Sequence, residues 1–354
     1  MSNTTINGTS IIISDNQAHL ISLFNSLNKY ISQIGLGLIL IMGNIGSALT
    51  CLVFSQPTFN KSPCAMYFIA SSFAQFFTFN FALVTRMIHY GYSITTLNTN
   101  LYYCKIRFYL FYIFVAVPRY QIILASIDRY FASSRDAVRR QWSSPKVASR
   151  LMIGTAIIWC LIYIQVLIFY DISSGSCKYR SGAYGVFFST YIAIDSGILP
   201  LFLMLVFGLL TVKNIHKTKQ RIGPGGGTNE NRPAQGSKMS KKDAQLHKML
   251  AHQITLFIVL NLPNPCYLVY SAFTINTPKS SLRTTIEAFA SNMTYVLIYL
   301  GFSLTFANFA TSSEIFRREL LQLIQTKILR QNPTRVTTGG GTTVRGLRPN
   351  DGDE

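Results

Sequence analysis

Seven long apolar blocks constrain this chain more than any other feature: Ile31–Phe54, Met66–Val84, Leu101–Leu124, Val147–Phe169, Ala183–Val212, Leu250–Phe273 and Ile286–Ala310. A helix crosses the hydrocarbon core of a bilayer with about 20 mostly apolar residues, and each block can supply them. No water reaches the backbone there, so only helices or closed barrels can span. Barrel strands are alternating segments of about 10 residues, which would not give runs this long. The blocks predict an all-α membrane protein, a seven-transmembrane-helix bundle. Charge content agrees: 13% of residues are charged, against about 25% in a soluble domain.

The formal net charge of +19 could suggest nucleic acid, but its placement argues otherwise. Arg135, Arg139, Arg140, Lys146 and Arg150 lie between the third and fourth blocks. Lys213, Lys217, Lys219, Arg221, Lys238, Lys241, Lys242 and Lys248 lie between the fifth and sixth. Arg317, Arg318, Lys327, Arg330 and Arg335 follow the seventh. All three segments fall on one side of a seven-span bundle, which the positive-inside rule makes cytoplasmic. The basic surface then faces the anionic lipid of the bilayer, and no nucleic acid is expected. This orientation gives a multi-pass protein of the plasma membrane with an extracellular N-terminus. Two sequons, at Asn3 and Asn7, fall in that outer tail as candidate glycosylation sites, although such tripeptides also arise by chance. Residues 1–28 show no basic stretch, apolar core and cleavage site in succession, so the first span is expected to direct insertion.

Cys104 and Cys177 fall in short polar loops, whereas Cys51, Cys64, Cys160 and Cys266 sit within or at the ends of apolar blocks. One loop-to-loop disulfide is the economical reading, and it requires an oxidising compartment. No close Cys/His spacing suggests a metal site. The organisation expected is an outer tail (residues 1–28), a helical domain (residues 29–330) and an inner tail (residues 331–354). Within the domain, "GPGGGTNENRPAQGS" marks a disordered linker at about residues 218–240, since Gly, Pro and polar residues carry no apolar period. After the seventh block, Ile315, Phe316, Leu320, Leu323 and Ile324 share one helical face and Arg317, Arg318 and Lys327 the other. That pattern predicts an amphipathic helix on the inner membrane surface.

Span three carries the most specific landmarks. Cys104 opens it, and Asp128-Arg129-Tyr130 closes it at the cytoplasmic end. That pair of features at that spacing resembles the third helix of rhodopsin-like (class A) G protein-coupled receptors. Further landmarks follow in order: Gly43-Asn44 in span one, Trp159 in span four, Cys177 in the next loop, Pro200 in span five, Phe257 and Pro263 in span six, and Phe316-Arg317 after span seven. The resemblance covers roughly Tyr30 to Leu329 and implies a disulfide between Cys104 and Cys177. It also implies a resting state capped by Arg129. There are departures, so the resemblance is to a divergent, peptide-receptor-like or orphan member. Gln75 replaces the family's span-two aspartate, which helps hold sodium. Asn261 replaces the span-six tryptophan, and Thr305-Phe306-Ala307-Asn308-Phe309 replaces the Asn-Pro-x-x-Tyr of span seven.

Polar residues within the spans suggest mechanism. Asp243, at the inner start of span six, is expected to pair with Arg129 as a latch that opens on activation; the plainer alternative is that it solvates a charged segment beside Lys241 and Lys242. Arg119 lies near mid-membrane, where a charge costs at least about 2.5–3.5 kcal/mol. A contact with Asp195 of span five is expected; the alternative bonds Arg119 to backbone carbonyls or Gln165. Gln75 and Asn44 are expected to form a neutral remnant of the sodium site, or a simple interhelical contact.

The outer thirds of the spans offer Arg86, His89, Phe111, Tyr112, Gln165, Tyr191, Tyr270 and Glu287, a mixed lining suited to a peptide or small polar molecule. Arg86 is a candidate partner for a ligand carboxylate or for Glu287, or else snorkels to the interface. Phe111 stands where aminergic receptors place an aspartate. Tyr299 stands at the level where visual pigments carry the retinal lysine. Neither class fits, and no cofactor or metal is expected. The scattered histidines have no spaced carboxylate or nucleophile partner, so an enzyme is not expected.

The reading is a receptor that takes an extracellular ligand and activates a heterotrimeric G protein. Two alternatives stand beside it: a receptor-like bundle that does not couple, and a transporter, which would show paired repeats or broken helices. Thr334, Thr337, Thr338, Thr342 and Thr343 are candidate phosphorylation sites for docking an arrestin, or else plain solvated linker.

Overall fold

The computed structural model describes residues 4–94, 100–134, 136–173, 176–180, 182–220, 241–274 and 277–328. Most of the expected linker, the inner tail with its threonines, Asn3 and Arg135 lie outside the described residues. So does the side chain of Asn7, although its backbone belongs to helix Thr4–Tyr30.

Six helical runs are long and apolar enough to cross a bilayer: Asn16–Phe54, Pro63–Tyr92, Leu101–Ala132, Pro145–Phe169, Ala183–Ile215 and Lys241–Phe273. A seventh span is built from Ser281–Ser303 and Thr305–Ser312, bent by 41° at Leu304. These are spans one to seven below. Apolar side chains point outward along them, as with Ile153, Ile157 and Leu161 at one-turn intervals on span four. Such stripes would be a liability in water but suit a helix whose solvent is lipid. Span three is central and packs on spans two, four, five and six, while span seven closes the bundle against spans one and six.

Proline shapes the interior. Pro118 lies inside the span-three helix, where it lacks an N–H and leaves the carbonyl of Phe114 without its helical donor. Thr78 of span two supplies that donor through its hydroxyl, and Ser71 donates to the carbonyl of Pro118 at 2.9 Å. Thus the carbonyl that the proline leaves open in one span is satisfied by its neighbour, as a lipid-embedded backbone requires. Spans five and six approach so closely that a Cβ on Gly197 would lie 2.1 Å from a Pro265 side-chain carbon. Span one meets span two in the same way, since a Cβ on Gly43 would fall 2.5 Å from the Phe79 ring.

The two ends of the bundle are built differently. At one, the Cys104–Cys177 disulfide joins the head of span three to a short hairpin, Tyr170–Ser173 with Ser176–Tyr179. At the other, the helix Glu314–Leu323 starts at Ser313, whose hydroxyl accepts from the Phe316 amide. Phe316 is fully buried and packs on Phe54 and Phe309, which in turn meet Phe68. Glu319 of the same helix accepts from Thr58 at 2.8 Å. This amphipathic helix is therefore docked on the bundle along its apolar face.

Candidate functional site

At the end of span three away from the disulfide, Asp128 and Arg129 face into the bundle while Tyr130 turns toward span five, its ring centroid 5.7 Å from that of Phe207. The Arg129 guanidinium donates from Nη2 and Nε to Asp128 Oδ2 at 2.7 and 3.1 Å. Nη1 donates to Asp243 Oδ1, in the first turn of span six, at 3.1 Å. The other Asp128 oxygen accepts from Ser143 at 2.7 Å. Charge-assisted bonds of this length are the strong ones. The two carboxylates are not equivalent: the side chain of Asp128 is 4% exposed and that of Asp243 is 46% exposed. The structure thus brings Arg129 and Asp243 together, with one inner and one outer carboxylate on a single guanidinium.

About three turns further along span six from Asp243, a polar seam joins spans six and seven. Gln253 donates to Thr305 at 3.2 Å and accepts from Asn308 at 2.8 Å, both in the first turn of the bent segment. Gln245 accepts from Ser313 and from the Ile315 amide, tying span six to the following helix. Neither glutamine was singled out from sequence. A glutamine inside an apolar span is the signal that could have found Gln253.

Deeper in the membrane, two expected contacts are not formed. Asp195 is bonded by tyrosines: Tyr120 donates to Oδ1 at 2.8 Å and Tyr163 to Oδ2. Arg119 is 1% exposed, yet its Nε and Nη2 have no partner among the described residues; Phe257 lies 5.9 Å from its guanidinium carbon. Consecutive helical residues point about 100° apart, so the residue of span three that faces Asp195 is Tyr120, not its neighbour. Gln75 likewise does not reach Asn44. It donates one turn back to Ser71 at 3.2 Å, whereas Asn44 accepts from Asn80 at 2.6 Å. Gly43 faces Phe79, which turns Asn44 to the rim of the interface between spans one and two. Asn261 is buried with its Oδ1 unpartnered among the described residues.

At the disulfide end, a cavity of about 270 Å3 opens between spans two and three. Arg86, His89, Tyr90, Arg107, Phe108 and Phe111 line it with Ala82, Thr85 and Cys177. Spacings of three and four residues put Arg86, His89 and Tyr90 on one helical face. Arg86 donates to Asn292 at 2.9 Å and lies 3.8 Å from the Tyr295 ring centroid. Asn292 in turn donates to Asn28 and Ser32, so spans one, two and seven meet there. Arg86 does not pair with Glu287, which is held by Lys279, Arg283 and Tyr270 at the mouth of spans six and seven. Of the expected lining, Arg86, His89 and Phe111 face this cavity. Tyr112 is bonded to Tyr170 at 2.7 Å and borders a smaller space of about 20 Å3 with Phe111 and Arg119. Gln165, Tyr191, Tyr270 and Glu287 line neither space. Arg107 was not singled out from sequence; a basic residue within an apolar block was its signal.

Comparison with known families finds that the model for the 7 transmembrane receptor (rhodopsin family) matches residues 46–302. Comparison with curated proteins gives no match.

Proposed function

This chain belongs to the rhodopsin family of seven-transmembrane receptors, and we propose that it binds a ligand at its disulfide end and activates a heterotrimeric G protein at its Arg129 end. The disulfide end is the extracellular one in this reading, with the N-terminus outside and the basic loops in the cytoplasm at the plasma membrane. The observation that carries it is the Arg129 cluster. A buried guanidinium on span three is shared between a buried carboxylate of its own helix and a half-exposed one on span six. Separating spans three and six breaks only the second contact, so the cluster has the form of a latch with a fixed half and a releasable half. Opening would clear the inner ends of spans three, five and six for a partner. The seam at Gln253, Thr305 and Asn308 supports the same reading, because it couples span six to the bend in span seven.

Nucleotide exchange on a co-expressed G protein, without added ligand, tests this. Asp243→Ala is expected to raise basal exchange several-fold, and Arg129→Ala to abolish it at equal surface expression. No exchange from wild type or from Asp243→Ala, at normal surface levels, would favour a bundle that does not couple.

A further inference from the structure

We propose that the cavity between spans two and three is a site for an organic anion, a carboxylate or phosphate carried on an aromatic or apolar body; this rests on the disulfide end being the ligand face. Arg86, Arg107 and His89 converge on one space. Arg107 is 8% exposed, its Nη1 has no partner among the described residues, and its guanidinium carbon lies 4.7 Å from the Phe108 ring centroid. His89 Nδ1 is also buried without a partner among the described residues. No carboxylate lines the cavity among the described residues. The carboxylates with described side chains at this end are already engaged: Asp171 with Arg180 at 3.5 Å, and Glu287 with Lys279 and Arg283.

Two guanidiniums without a counter-charge repel one another, and a buried unpaired cation is costly. A bound oxyanion answers both, because guanidinium forks match carboxylate and phosphate geometry. The remaining wall is apolar and aromatic, with Ala82, Phe108, Phe111 and Tyr90. That favours a ligand with a charged head and a compact body over a bare ion. A cationic amine would add a further positive charge to a wall that offers none of the opposite sign.

Charge-selective labelling of a cysteine in the cavity tests this on the full-length protein in membranes. Thr85→Cys places a thiol in the lining, and the unmodified protein serves as background for its native thiols. The thiol is reacted with an anionic (sulfonatoethyl) and a cationic (trimethylammonioethyl) methanethiosulfonate. The anion-to-cation rate ratio is expected to exceed that of a small free thiol by about tenfold or more, as clefts of one sign concentrate counter-ions. Adding Arg107→Gln should return the ratio toward the free-thiol value, and Arg86→Gln should lower it should Arg107→Gln fail to fold. Arg180→Gln, outside the cavity, should leave it unchanged. Benzoate or phenyl phosphate should protect the thiol, and whichever protects at lower concentration identifies the head group. A ratio no higher than that of the free thiol, or protection by benzylamine or by neither anion, overturns the proposal. Labelling needs no G protein, so this result and a failure of coupling are read separately.

Discussion

Arg119 and Arg129 lie on one helix, are buried to 1% and 2% exposure, and are treated in opposite ways by the bundle. Arg129 has two carboxylates within 3.1 Å. Arg119 has none within ion-pairing distance among the described residues, and the one nearby candidate, Asp195, is taken by Tyr120 and Tyr163. The difference follows from where each sits. The mouth of a bundle is reached by helix starts and loops that can carry acidic and hydroxyl groups, and here Asp243 and Ser143 arrive from those segments. Mid-membrane positions are reached only by other spans, whose polar residues are few and fixed in azimuth by their own helices. A residue one step out of phase therefore loses direct contact with its partner, and Arg119 acts on Asp195 only at a distance.

The strongest way to break this comparison is to remove Arg129. Arg129→Met leaves Asp128, a 4% exposed side chain, with Ser143 as its remaining partner. Breaking a buried pair by deleting one member costs about 3–5 kcal/mol, so the thermal midpoint of the purified protein in detergent should fall markedly. An unchanged midpoint would mean that the Arg129 cluster is no tighter than the surroundings of Arg119. The same substitution at Arg119 should act with the opposite sign. Arg119→Met removes two unpartnered buried donors, and relief of such groups is worth about 1–3 kcal/mol each. Its midpoint should therefore rise. A fall would show that the guanidinium of Arg119 stabilises the bundle, and the contrast between the two arginines would be lost.

The two arginines also mark what could be read from the sequence. Periodic and positional signals were legible: the seven apolar blocks, the amphipathic helix at Phe316 and the pairing of Cys104 with Cys177 all depend on composition along one segment or on a fixed landmark. The Arg129–Asp243 contact was legible because both residues lie at helix ends, where counting from a landmark suffices. Arg119 with Asp195 and Gln75 with Asn44 were not, because those contacts depend on the rotation of each helix about its axis. That rotation is set by close packing at Gly43 against Phe79 and Gly197 against Pro265, and by the carbonyls around Pro118 that Thr78 and Ser71 satisfy. A sequence gives the depth of a residue in the membrane far better than its azimuth. The cavity suffered from the same gap: Arg86, His89 and Phe111 have the right depth and azimuth, while Gln165, Tyr191, Tyr270 and Glu287 share the depth and face elsewhere.

The smallest expected effect on stability separates the two halves of the Arg129 cluster. Asp243 is 46% exposed, so solvent screens its attraction to Arg129 and the contact is worth under about 1 kcal/mol. Asp243→Asn keeps a carbonyl oxygen able to accept from Nη1 and removes the charge, while Asp128 continues to hold Nη2 and Nε. Its thermal midpoint should stay close to that of wild type, although basal nucleotide exchange rises. Both should be measured on the same preparation, because the contrast between them carries the inference. A latch has to be weak enough to open, and a half-exposed carboxylate on a separate helix meets that condition where Asp128 does not. A midpoint drop as large as that of Arg129→Met would make Asp243 part of the scaffold, and the releasable half of the cluster would have to be sought in the seam at Gln253 and Asn308.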